Sequence, residues 1–132
     1  MIIRNGFVTN SSSTNYIIIS KEKLTPEKLT TLLGVKKQSS IYSQVLELSK
    51  KLLVKDYLRP RDEVRDAPFE DQLLDIFGRK TLSKYKKLSK KGYISYYGRI
   101  NDDYDDVETM LTIDSFIISK KDIYMDFSDG SY

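Results

Sequence analysis

The sequence predicts one α+β domain over residues 1–132, an antiparallel sheet built from N- and C-terminal strands and covered by three or four central helices. Three observations carry this. Runs of β-branched and aromatic residues sit near both ends, helical periodicity with its own start and stop signals fills the middle, and no repeat or linker divides the chain. With 132 residues and 39% hydrophobic content, the chain suits a single modest core.

The elements follow in order. Ile2 and Ile3 begin a short strand, and Tyr16 to Ile19 is the next. Between them Asn5-Gly6 favours a tight turn, and the Asn/Ser/Thr run after it can bond its own backbone. A first helix has Thr25 as N-cap, Pro26 at its first position, a Leu24/Leu29 staple and a stop at Gly34. A second starts after Ser39 or Ser40, carries Ile41, Val45, Leu48 and Leu52 on one stripe, and ends near Leu58 ahead of Pro60. A third is capped by Asp66, buries Phe69, Leu73, Ile76 and Phe77, and stops at Gly78. A fourth runs from Thr81 to about Lys91, with Leu82, Tyr85 and Leu88 on one side and Lys84, Lys86, Lys87, Lys90 and Lys91 over most of the other. Strands return at Tyr93 to Ile100, at Met110 or Ser115 to Ser119, and at Ile123 to Phe127. Asp105 to Thr112 is ambiguous, since Val107, Met110 and Leu111 have helical spacing.

Composition removes several chemistries. The chain has no His, Cys or Trp, which excludes disulfides, Cys/His zinc sites, thiol catalysis and histidine acid/base catalysis. No cofactor is expected, and the absence of a span of roughly 18 to 20 apolar residues predicts a soluble, intracellular protein with no membrane partner.

The formal charge of +3 conceals two opposed blocks. From Arg79 to Lys91 there are seven basic residues and no acid, so the rest of the chain is at −4. Asn101 to Asp114 holds six acids and no base. Arg79, Lys80, Lys84, Lys87 and Lys91 are the candidate nucleic-acid contacts, since a cationic face neutralises phosphates while Tyr85, Tyr93, Tyr96 and Tyr97 are available to stack on bases. The alternative is a solvated lysine face over a core stripe. Asp102, Asp103, Asp105, Asp106 and Glu108 offer oxygen ligands to a hard cation, but they lack the glycine and final glutamate of an EF-hand loop and read better as a turn leading into a helix N-terminus. Asp126 and Asp129 carry no spacing that defines a carboxylate pair, and no metal site is predicted.

The segment Ile3-Arg4-Asn5-Gly6-Phe7-Val8-Thr9-Asn10-Ser11-Ser12-Ser13-Thr14-Asn15-Tyr16-Ile17-Ile18 resembles an N-terminal motif, R-x-G-F-V-S-N-S-S-S-S-S-F followed by apolar residues, of small and mostly uncharacterised phage and bacterial proteins. Thr9 stands for a serine, Thr14 and Asn15 interrupt the serine run, and Tyr16 stands for phenylalanine. The resemblance covers about the first 18 residues and brings no activity with it. Physically, Asn10, Ser11, Ser12 and Ser13 form a candidate anion-binding loop through free amides, against the alternative of a self-bonded connection between strands.

The leading expectation is therefore a non-enzymatic phage or viral accessory or virion-associated protein, in the host cytoplasm or the virion, acting through a protein partner. A nucleic-acid-binding regulator using the basic helix 79–91 is the alternative. A carboxylate-metal, phosphodiesterase-like enzyme working without histidine comes third.

Overall fold

A computed structural model describes residues 13–58, 67–101 and 116–129. Element order is β1 (Ser13–Ser20), α1 (Pro26–Leu32), α2 (Tyr42–Leu52), α3 (Phe69–Phe77), α4 (Arg79–Lys90), β2 (Ile94–Asn101), β3 (Phe116–Lys120) and β4 (Ile123–Asp129). The four strands form one antiparallel sheet in the order β2-β1-β4-β3, so the N-terminal strand lies between two strands from the C-terminal third. This is the α+β arrangement that the two strand clusters predict.

The uninterrupted apolar run in β1 has a direct cause. Tyr16 and Ile18 point to one face, where Leu29 of α1 and Val45, Leu48 and Leu52 of α2 pack on them. Ile17 and Ile19 point to the other, against Leu73 of α3 and Tyr124, with Leu82, Tyr85 and Leu88 of α4 packed alongside. A strand buried on both faces needs apolar side chains at successive positions, and none of residues 16 to 19 is more than 2% exposed. The helices thus divide two and two, making three layers.

Most predicted boundaries hold within a residue or two. Thr25 caps α1 by accepting from the Lys28 amide at 3.1 Å, and α1 ends ahead of Gly34. The first strand is longer than the Tyr16 to Ile19 core of its signal, since Thr14 and Asn15 are also paired and buried. Two helix starts shift: α3 begins at Phe69 behind Pro68, and α4 at Arg79 directly behind Gly78. Asp66, the predicted cap of the third helix, lies outside the described residues, as do Ile2, Ile3, Phe7, Val8 and the 105–112 interval.

The end of α2 is a correction. It stops at Leu52, not near Leu58, because the chain must change faces of the sheet. Val54 to Asp56 run beside β2, with Tyr97 N–H donating to Val54 O at 3.0 Å and Asp56 N–H to Tyr97 O at 2.9 Å. Leu58 then belongs to the second core. Tyr16 Oη donates to Leu52 O at 2.9 Å and satisfies a carbonyl that the helix end leaves without an intrahelical partner.

Candidate nucleic-acid interface

Helices α3 and α4 share Gly78, the C-cap of one and the N-cap of the other, at φ 91° and ψ −178°. That combination is nearly restricted to glycine, and one residue there turns the chain from one helix into the next. The residues that follow, rich in lysine and leucine with no β-branched side chain beyond Thr81, favour a helix.

How α4 is rolled on the sheet decides which cations face outward. Thr81 is fully buried, and its Oγ1 donates to Asp126 Oδ2 at 2.5 Å and lies 2.6 Å from Tyr124 Oη. With its single proton committed to the carboxylate, the threonine hydroxyl accepts from the tyrosine. Burial pushes the Asp126 carboxyl above the usual carboxylate range, against the lowering influence of the Thr81 bond and of Lys80. Burial likewise raises the Tyr124 phenol. This polar chain fastens the first turn of α4 to β4.

With that end fixed, Leu82, Tyr85 and Leu88 lie half-buried against the second core. Lys84 goes with them. It is half-buried, and its Nζ stands 5.9 Å from the centre of the Tyr124 ring, a cation–π contact within the sheet-facing side. Arg79, Lys80, Lys87 and Lys91 are exposed, together with Lys86 and Lys90. Lys86 lies 3.6 Å from Glu70 of α3. Among the described residues no carboxylate comes within ion-pair distance of Arg79, Lys80, Lys87, Lys90 or Lys91.

An open groove of about 400 Å³ runs between the two helices, lined by Glu70, Tyr85, Lys86, Ser89 and Lys90. Of these, Lys86 and Lys90 are visible as part of the basic block, but the contribution of Glu70 depends on helix packing and leaves no mark in the local sequence.

The four tyrosines do not act together. Tyr96 is buried on the α1/α2 side, where its hydroxyl accepts from the Leu24 amide at 3.3 Å, so it has no stacking face to offer beside α4. The alternation of the strand sends Tyr97 to the opposite face, against Phe69 with ring centres 4.5 Å apart. Tyr93 is half-buried in the same core. Tyr85 meets Phe69 edge to face with ring centres 5.4 Å apart, and it also lines the groove.

Of the serine loop, Asn10, Ser11 and Ser12 lie outside the described residues, and Ser13 enters as the first residue of β1, opposite Asn101. The acidic stretch 102–108 also lies outside them. Among the described residues no group of three acidic side chains gathers to hold a metal ion, and no helix is long and apolar enough to cross a membrane. No protein-family model, curated protein or solved structure matches this chain.

Proposed function

We propose that the protein binds nucleic acid through the outer face of α4, chiefly by neutralising phosphates and without reading base sequence. The supporting observation is that Arg79, Lys80, Lys87, Lys90 and Lys91 lie exposed on one helix, with no carboxylate in ion-pair distance among the described residues. Lysines with a single arginine supply point charges, suited to backbone contact more than to bidentate base recognition. This geometry favours the nucleic-acid reading over the protein-contact reading. The virion-associated role rests on the motif at residues 3–18, of which only its last part, in β1, is described.

The test is salt dependence. Binding to any DNA or RNA should weaken as salt rises, with a slope of about −0.9 per neutralised phosphate on duplex DNA. Replacing Lys87, Lys90 and Lys91 together by Gln should flatten that slope by up to about three and weaken binding to all sequences alike. Lys84→Gln should leave the slope unchanged, because its ammonium faces Tyr124. A wild-type protein that retards neither DNA nor RNA at low salt overturns the reading.

A further inference from the structure

We infer that the groove between α3 and α4 receives an unpaired base, so that the ligand preferred by α4 is single-stranded nucleic acid. This rests on the reading of α4 as a phosphate-binding face and narrows it to one class of strand.

The walls of the groove differ in kind. Lys86 and Lys90 stand one helical turn apart on α4, about 5–6 Å between Cβ atoms, on long stems that can follow neighbouring phosphates. Glu70 lies across from them on α3, 3.6 Å from Lys86. A carboxylate in the groove opposes the entry of a phosphate but accepts hydrogen bonds from the N–H groups of a base. Tyr85 supplies an aromatic surface beside these groups, and Ser89 a hydroxyl. At about 400 Å³ the groove is near the low end of the ~300–1,000 Å³ typical of small-ligand sites, a size for one base and not for a paired duplex edge.

Charge and shape therefore assign different parts of one ligand to different walls: phosphates to the lysines, a neutral planar base to Tyr85 and Glu70. In a duplex the bases are stacked and paired, and extruding one carries an unstacking cost that a single strand avoids. Stacking on tyrosine is tolerant of base identity, which fits a helix whose other contacts are sequence-independent.

The experiment measures binding of the full-length protein to three labelled probes of equal length: an oligothymidylate, a DNA duplex, and an abasic strand that keeps the phosphates and lacks the bases. The oligothymidylate should bind most tightly, with the abasic strand weaker by roughly tenfold. Tyr85→Leu should lower affinity for the oligothymidylate by a similar factor without changing the salt slope, while Tyr85→Phe retains it. Equal binding of thymidylate and abasic strands, or a duplex bound as tightly as the single strand, overturns the inference and leaves the phosphate-binding reading intact. No binding to any probe at low salt removes both. The abasic comparison uses wild-type protein, so it decides the matter even if the leucine variant fails to fold.

Discussion

Gly98 in β2 tests how tightly the sheet and α2 are fitted together. It lies directly opposite Tyr16, and a Cβ built on it would meet Tyr16 Oη at 3.1 Å, Tyr16 Cε2 at 3.3 Å and Asp56 Cβ at 3.3 Å. Neither neighbour can move freely. The Tyr16 hydroxyl is held by Leu52 O at 2.9 Å and its ring stacks on Phe127, while the chain at Asp56 is bonded to the Tyr97 backbone. Burial, with the Asp56 carboxylate adding to it, pushes the Tyr16 phenol well above its usual range, so the hydroxyl stays a donor. Gly98→Ala should gain about 0.4–1 kcal/mol from a less flexible unfolded chain and lose about 1–3 kcal/mol to overpacking. The expected net is a destabilisation of about 1–2 kcal/mol. Tyr16→Phe removes the 3.1 Å contact but leaves the two at 3.3 Å. In that background the alanine should cost at least ~0.5 kcal/mol less, a coupling expected of residues in contact. Urea unfolding of the four proteins, followed by circular dichroism with the m-value checked for constancy, measures the cycle. A neutral or stabilising Gly98→Ala, or an equal cost in both backgrounds, would mean that the Tyr16 hydroxyl does not limit the space beside residue 98.

Two further perturbations address the α3/α4 layer. Because burial raises the Asp126 carboxyl, the folded protein holds that proton more tightly than the unfolded chain. Its contribution is therefore most favourable below the unfolded carboxylate range and is lost as pH rises through the raised folded value. Relative to Asp126→Asn, the wild type should lose stability on going from acid toward neutral pH, read from urea midpoints at stepped pH; a pH-independent difference would contradict the assignment. Gly78→Ala meets no neighbour within 4 Å, so its cost is backbone strain alone, about 1–3 kcal/mol in the same unfolding assay. A loss under about 0.5 kcal/mol would mean that the turn between α3 and α4 does not depend on glycine.

What could be read from the sequence was what local chemistry controls. Thr25 and Pro26 start α1, Gly34 and Gly78 stand just beyond the ends of α1 and α3, and the leucine and valine stripe of α2 reaches the core at Val45, Leu48 and Leu52. What could not be read was set by partners distant in sequence. The only local breaker after α2 is Pro60, yet the helix ends at Leu52 because the chain must pair with Tyr97 and reach the other face. A helical wheel puts Lys84 with the other lysines, but Tyr124, 40 residues later, draws it inward. The alternation of Ile123, Met125 and Phe127 with Tyr124 and Asp126 was legible; that α4 covers the Asp126 side was not, since it follows from a buried bond to Thr81. The cationic face was visible because it lies on one helix. The groove was invisible because Glu70 comes from another.

The contrast between α2 and α4 bears on why one helix is left so basic. In α2, Lys50 has an acid three residues earlier, and the Glu47 pair closes at 2.8 Å, lowering the Glu47 carboxyl and raising the Lys50 amine. The first turn of α3 carries Glu70 and Asp71, placed well for the positive end of its dipole. Helix α4 contains no acid at all, and it aligns like charges at Lys86/Lys90, i,i+4, a spacing that Lys87 shares with Lys91 at the C-cap. Such pairs oppose the helix by about 0.2–0.5 kcal/mol apiece, and only Thr81 of this helix is fully buried to offset them. Glutamate at Ser83 or Ser89 would relieve the repulsion without touching the core, since both are exposed. A surface kept merely for solubility is served as well by mixed charges, as α2 illustrates. A surface kept for polyanions is not, because each acid on it repels the phosphates that the lysines attract.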